Sequence, residues 1–599
     1  VQYKLADFEV LRSKKADQKI TELQHIGFVA SGRDELRPVP FTLPFHWNQD
    51  PHKDRNWMFQ LHAWRMLDPY FERIHDARPG AEPETLHYIY EVLADWYTAN
   101  IHKRPGEYTW FDMSVGIRAL KLALLAFLNK QYKYDQNQAA LLDNLVDIHI
   151  HELMDPGKLS SGNHGLFQLH GLKALSFFYP DHPRSELARN YAVENMTKLI
   201  DSQLGEHGVH TEGSPEYHFF AFRKIKRIVK AQWWEEIAAG VVNDKLEKAE
   251  IASNWLVDPL ERCVPIGDSS QKKMPRVSHS IFEWPHDQGI RSIGAILDGY
   301  AVVRSDPALA TDESFMLFMT ASFYSQTHKH SDCLSFIWQE GGKNLLIDSG
   351  KYGYQKSKMR EYFLSTRSHN TLEINGCSDS RAAACAYGTG ISYVRLLSGS
   401  WLIGASSEKT IDGTPAGRQK YRHDRVVLFR PGKFVCVFDK LIPLRSSVWS
   451  LFRNKQDLVT SWWHFAPEFK LLSPTGKDNL LLSNDEIGKK LLVKHLNNCK
   501  GNKLNVSSGV TRPRLQGWES ETYLQAHPAP AIGFESRGVK DYRSVTLFEL
   551  LAIDSSPTLD LEVADGKMGF LLRDLCSSAA LRDLDVCGDT SFIVSDSLL

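Results

Sequence analysis

The chain has 599 residues, 42% of them hydrophobic and 24% charged, an ordinary composition for a globular protein that is too long for one core. Its formal net charge of −1 excludes a global basic field of the kind that attracts nucleic acid, so a polyanion has to be recognised by a local basic cleft. Apolar runs such as residues 122–128 are too short to span a bilayer, and neither nucleic acid nor membrane is expected as a partner. The eight cysteines form no CxxC pair and set no redox compartment. The chain begins at Val1 without an apolar leader, which reads as a processed or trimmed N-terminus.

After an N-terminal extension over residues 1–54, helical length and period predict helices over 55–71, 84–101, 111–131, 137–154, 163–178, 184–204, 215–234 and 244–260. Ile117, Leu120, Leu124 and Phe127 illustrate the three- and four-residue spacing. Pro, Gly and Asp mark the joints, as in Asp155-Pro156-Gly157 and Gly213-Ser214-Pro215. Such antiparallel helices with short loops fit a bundle, a solenoid or a closed α/α toroid, and no repeat consensus favours the solenoid. From about Trp284 onward, short β-branched and aromatic runs take over, including 300–304, 315–320, 334–338, 344–347, 370–374, 425–429, 434–439, 492–495 and 545–551. Helices first and strands second predict an α+β multidomain chain, helical over 55–285 and an antiparallel β-sandwich over 286–599. The last forty or so residues weaken into a Ser/Asp/Leu mixture and are a candidate for a separate subregion.

Four clusters carry chemistry. Asn163 and His164 open a helix, where an amide and an imidazole beside free backbone N–H groups can hold a carboxylate; alone, Asn163 reads equally as a helix cap. The stretch from Glu206 to His218 gathers three histidines, three carboxylates and Tyr217 around the helix start at Pro215. In Thr327-His328-Lys329-His330, an extended backbone would turn both imidazoles to one side, and Asp348 and His369 follow nearby. Two imidazoles and a carboxylate match a zinc site with an open position. A loop rich in Lys, Arg and Tyr runs from Lys351 through Tyr354, Arg360 and Tyr362 to Arg367 and could grip sulfate or carboxylate groups. The basic run 223–227 reads as a solvated helix face.

At these positions the sequence resembles the heparinase II/III-like polysaccharide lyases, a group that includes heparin/heparan sulfate lyases and related alginate lyases. The matching strings are Asn163-His164-Gly165, Ser214-Pro215-Glu216-Tyr217, His328-Lys329-His330-Ser331-Asp332, Leu346-Ile347-Asp348-Ser349-Gly350 and Ser368-His369-Asn370-Thr371, within residues 55–470. The resemblance implies an N-terminal α/α toroid (an incomplete barrel), a C-terminal antiparallel β-sandwich, and lyase action on an anionic, uronic-acid-containing polysaccharide. Heparan-sulfate-like glycosaminoglycan, alginate and bacterial exopolysaccharide are all candidate substrates. It implies that Asn163 and His164 neutralise the substrate carboxylate, that Tyr217 and His328 transfer protons, and that Tyr354 or Tyr362 is a second catalytic tyrosine. His330, Asp348 and His369 correspond to ligands of a structural Zn²⁺ near the cleft. Trp110 and Arg118 resemble cleft-lining positions, and Glu216, Arg360 and Arg367 are further candidates for substrate binding. A periplasmic or secreted location is expected, and the sequence sets no oligomeric state.

β-Elimination supplies the chemical reason for such a set. The uronate C5 proton is very weakly acidic until the neighbouring carboxylate is neutralised; a base must then reach C5 and an acid the glycosidic oxygen. A tyrosine, with a pKa of about 10, needs cationic neighbours to act as the base, and His328 with the Lys/Arg loop are the candidates for supplying them. Whether Tyr217 or His328 is the base depends on the substrate's configuration at C5. The alternatives are a glycoside hydrolase using Glu212 and Glu216 as its carboxylate pair, and a non-catalytic polysaccharide-binding or export protein.

Overall fold

The computed structural model describes residues 3–598 except 14, 34, 78–82, 102–105, 130–135, 236, 238–239, 275–291, 415–416, 445–456, 475–478, 500–501, 538–540, 565–568 and 586–590. It holds two compact units, residues 1–203 with 221–246 and residues 204–220 with 247–599. The division expected at 285/286 lies outside the described residues. No described helix is long and apolar enough to cross a membrane.

The first unit is the α/α toroid domain, built from Ala16–His25, Arg55–His62, Asp68–Asp76, Pro83–Asn100, Asp112–Asn129, Gln136–Leu153, Asn163–Phe178 and Ser185–Gln203. Every residue from Ser114 to Ala126 is buried, as is every residue from Gly165 to Ser176, the all-round burial expected of inner helices. These two helices cross closely at glycines. A Cβ on Gly116 would stand 2.3 Å from the Phe167 carbonyl oxygen, and one on Gly171 would stand 2.4 Å from that of Gly116. Only a missing side chain allows that approach.

The helix expected over 55–71 is in fact two. Trp64 adopts a left-handed conformation, φ 54°, and Pro69 starts the next helix, so the chain turns between Arg55–His62 and Asp68–Asp76. Residues 1–54 belong to this unit rather than forming an appendage. Tyr3 and Phe8 pack their rings among Phe178 and Trp233, and the Leu11 amide donates to Asp68.

The second unit is the β-sandwich. An antiparallel meander of five strands, Ser292–Leu297, Tyr300–Ser305, Phe315–Thr320, Phe336–Glu340 and Lys343–Leu346, is buried on both faces. Val303, Leu317, Phe336 and Trp338 join a core shared with Ile403, Val427, Phe429 and Val437 of an eight-stranded sheet. The alternate residues Val302, Met316, Phe318 and Ile337 pack instead against Phe219, Trp255 and Leu256, which is why residues 204–220 count with the strands. This packing seats the start of the helix Pro215–Ile228, and with it Tyr217, against the sandwich.

The eight-stranded sheet is also covered twice. Its second face, through Leu402, Val426, Leu428 and Val545, buries Leu561, Phe570, Leu572 and Val594. Those residues come from a final four-stranded sheet of Leu559–Ala564, Gly569–Asp574, Leu581–Asp585 and Ser591–Ser595. The weak C-terminal composition therefore encodes an added layer, held among the described residues by one or two apolar side chains from each of three strands.

Candidate active site

Five segments of the second unit bring side chains to one place. Tyr217 lies in the first turn of its helix, its hydroxyl 2.9 Å from that of Tyr354. Its ring stacks on the imidazole of His328, with centroids 3.3 Å apart and planes at 16°. His328 Nδ1 is 3.0 Å from Asp268 Oδ2, and its Nε2 is 3.6 Å from Glu212 Oε2. His330 Nε2 is 2.9 Å from the other oxygen of Asp268, which also receives Arg360 Nη2 at 2.6 Å. Arg360 donates in addition to the Lys351 carbonyl and lies over the Tyr354 ring.

The backbone explains how these segments meet. His328 has φ 58°, a left-handed conformation, so the segment is not the extended strand expected for an HxH pair. Its two imidazoles converge because one carboxylate receives both, not because strand side chains alternate. Gly267, φ 58°, makes the approach possible: a Cβ there would stand 2.4 Å from the Gly213 oxygen and 2.7 Å from the His328 oxygen. The Asp268 amide then donates to the His328 carbonyl at 3.0 Å.

The charges are arranged against a ready phenolate. Burial pushes the Tyr217 pKa up, and the nearby Asp268, Glu216 and Glu212 carboxylates push it further, against the opposing bond from Tyr354. The Tyr354 hydroxyl is raised strongly, first by burial and then by Asp268. Both phenols therefore hold their protons in the free protein. The cations expected to lower them are engaged elsewhere, Lys351 on Glu216 at 3.0 Å and Arg360 on Asp268. Burial opposes the charge on Asp268, yet the two histidine hydrogen bonds and Arg360 keep its carboxyl well below the usual range.

Other expected site residues fall into different surroundings. The Glu216 carboxylate is bonded within the protein. It accepts from the Ser270 amide, Lys272 and Lys351, which hold it ionised despite its burial. The carboxylate pair imagined for hydrolysis accordingly loses a member that could cycle its proton. Tyr362 is buried, its hydroxyl accepting from the Gly517 and Trp518 amides, so Tyr354 is the tyrosine that joins Tyr217. Arg367 donates to Gln516 and lies over Trp462, removed from the stacked pair by its own partners.

In the helical unit, Asn163 is the first residue of Asn163–Phe178, and the cap is Gly162. Its buried Oδ1 has no hydrogen-bond partner among the described residues, so the amide is not satisfied as a cap. His164 Nδ1 is 3.0 Å from Asp112 Oδ2, which fixes the ring. Trp110 stands edge-on to Trp96. Arg118 lines no cleft. It is fully buried, donating to His149, the His62 carbonyl and the Thr109 carbonyl, with Trp64, Trp96 and Trp110 around its guanidinium.

His330, Asp348 and His369 come together as the HxH reading proposed, all buried, with one candidate ligand atom from each within 4.8 Å of the others. His369 Nδ1 is 2.7 Å from Asp348 Oδ2, while His369 Nε2 and His330 Nδ1 are buried without a hydrogen-bond partner among the described residues. Two orphaned ring nitrogens beside a carboxylate fit a divalent cation with nitrogen and oxygen ligands. The residue missed from sequence is Asp268. Its signal is faint: a carboxylate following a glycine in the apolar stretch Val264-Pro265-Ile266-Gly267-Asp268, with no period to mark it.

The family description "Heparinase II/III N-terminus" matches residues 7–283, and "Heparinase II/III-like, C-terminal" matches residues 298–530. A heparin-sulfate lyase of Bacteroides stercoris is 23% identical over 410 residues, which are 60% of this chain and 60% of that protein. A solved heparinase III has a TM-score of 0.66 at 16% identity, covering 94% of this chain and 88% of that one. Heparan sulfate lyase HepC from Pedobacter heparinus has a TM-score of 0.62 at 17% identity, covering 94% and 87%. At these identities the structural likenesses establish the fold alone.

Proposed function

The chain belongs to the heparinase II/III-like family, and we propose that it is a polysaccharide lyase acting on a heparan-sulfate-like, uronic-acid-containing glycosaminoglycan. The observation that carries this reading is the Tyr217–His328 stack, with Tyr354 on the phenol and Asp268 on the imidazole. The base is the His328 Nε2 nitrogen, which takes the C5 proton. The C5–H electrons form the C4=C5 double bond, the C4–O4 bond breaks, and the departing oxygen takes the proton of the Tyr217 hydroxyl. A phenol held protonated by burial suits the acid, and Tyr354 hydrogen-bonds to it as the proton leaves. Neutralising the uronate carboxylate is the role of Asn163, whose amide is incompletely bonded, and of His164, held by Asp112.

His330, Asp348 and His369 would hold a zinc ion, which when bound would supply fixed positive charge to keep the two imidazoles in place. Removal of metal by a chelator is expected to lower the melting temperature, and zinc to restore it, with about one ion per chain by elemental analysis. His369→Ala is expected to abolish both responses. A polymer substrate of this kind places the protein in the periplasm or outside the cell, to be checked by fractionation of the producing cells.

The test of function is product absorbance. Elimination leaves a conjugated alkene that absorbs in the ultraviolet, whereas hydrolysis leaves none. Heparan sulfate is expected to give the fastest rise, with heparin, alginate and bacterial exopolysaccharide as the other arms. Tyr217→Phe is expected to lower the rate about 10³-fold with the melting temperature unchanged. Full activity in that variant removes Tyr217 from the mechanism.

A further inference from the structure

We propose that Asp268 is a positioning residue that sets the tautomers of two histidines at once, making Nε2 the working nitrogen of His328 and Nδ1 the metal-facing nitrogen of His330. The inference rests on the lyase reading for the task of His328, but its geometry stands by itself. Asp268 is 2% exposed, and its two oxygens divide the work: Oδ2 meets His328 Nδ1 at 3.0 Å, and Oδ1 meets His330 Nε2 at 2.9 Å. Arg360 is the charge partner of this carboxylate, its Nη2 2.6 Å from Oδ1, and its Nη1 lies farther out, 3.5 Å from His330 Nε2.

An ionised carboxylate only accepts hydrogen bonds, so each ring nitrogen facing it must carry hydrogen. A neutral imidazole has one N–H, and its second nitrogen is then a lone pair. For His328 that lone pair falls on Nε2, the atom a base needs, because Glu212 Oε2 stands 3.6 Å from it, beyond hydrogen-bond distance. For His330 it falls on Nδ1, the nitrogen with no hydrogen-bond partner among the described residues and the one left to meet Asp348 and His369. The mirror-image choice would put the proton of His328 on Nε2 and leave Asp268 facing a lone pair. The backbone reinforces the assignment, since the Asp268 amide donates to the His328 carbonyl and so fixes residue and partner together. One carboxylate thus connects the proton-transfer histidine to the candidate metal site.

Asp268→Asn tests this, because the amide keeps the size of the side chain but can accept from only one ring and donates to the other. One imidazole must then present a lone pair to it and invert its tautomer. The full chain labelled with ¹⁵N-histidine, at about pH 8 where an unperturbed imidazole is neutral, is read by long-range nitrogen–proton correlation. His328→Gln and His330→Gln identify the two sets of signals. The wild type is expected to carry its protons on Nδ1 of His328 and Nε2 of His330, and Asp268→Asn to invert at least one. On heparan sulfate, kcat of that variant is expected to fall about 10²-fold or more with KM within about threefold, as for a misheld catalytic imidazole. Asp268→Glu, which keeps both acceptor oxygens, is expected to recover part of the loss.

A wild-type His328 protonated on Nε2, or on both nitrogens, overturns the inference, as does an Asp268→Asn variant with both tautomers and kcat unchanged. The wild-type spectrum decides even if the variant does not fold. It also decides if no polymer yields unsaturated product, an outcome that defeats the lyase reading and leaves the tautomer assignment to stand or fall alone.

Discussion

Each unit holds an arginine among aromatic rings and histidines, Arg118 fully buried and Arg360 half-buried, and the two are used in opposite ways. Around Arg118 the donors are matched: Nε to His149, Nη1 and Nη2 to carbonyls, while the neighbouring Lys121 reaches the Ala63 and Trp64 carbonyls and Asp68. Around Arg360 the matching is incomplete. Asp268 ties two histidines and the arginine together, but His330 Nδ1 and His369 Nε2 end without hydrogen-bond partners among the described residues, and two phenols are left facing each other. A buried charge whose every bond is closed within the protein holds helices together. One whose network ends in unpartnered atoms is built to receive something else.

The comparison can be broken at its strong end first. Arg118→Leu leaves three buried acceptors without a donor and is expected to cost about 3 kcal/mol or more, read as a lower urea midpoint of the helical signal. A midpoint unchanged from wild type would show that the closed network is not structural. The two tyrosines of the basic loop sharpen the contrast. Tyr354→Phe is expected to lower kcat about 10- to 100-fold with stability unchanged. Tyr362→Phe, which takes an acceptor from two backbone amides, is expected to leave kcat within about twofold and cost about 1 kcal/mol. If the two exchange effects, the tyrosine assignment is reversed.

The last effect is on pH. Burial pushes the Glu340 carboxyl up to about 7 from an ordinary 4.5, although the Gly432 amide and Trp338 indole donate to it. A carboxyl whose folded pKa is raised is favoured in its protonated form, so its contribution is complete below about 4.5 and is lost as pH rises through 7. Glu340→Gln should therefore gain on the wild type by about 2–3 kcal/mol between pH 5 and pH 8, measured by denaturant midpoints at both values. A constant difference across that range would place the carboxyl at its ordinary pKa.

Periodicity determined a good deal by itself. Apolar spacing in residues 111–131 and 163–178 marked two helices, and the fold buries most of each on every side, buried polar residues such as Arg118 and Lys173 included. Alternating and continuous apolar runs marked the strands, and the spacing of His330, Asp348 and His369 marked a metal-type cluster that the fold does assemble. What the order of residues could not decide was partnership. Arg118 sits in an apolar helical run and Arg360 in a basic, tyrosine-rich loop, yet neither setting along the chain says that packing closes the bonds of one and leaves the other's network open. Asp268 carries no sequence pattern, because its function arises from three segments distant in sequence meeting at a glycine with no side chain to keep them apart. Local spacing is a property of neighbours along the chain, whereas hydrogen-bond satisfaction is a property of neighbours in space, and the site depends on the second.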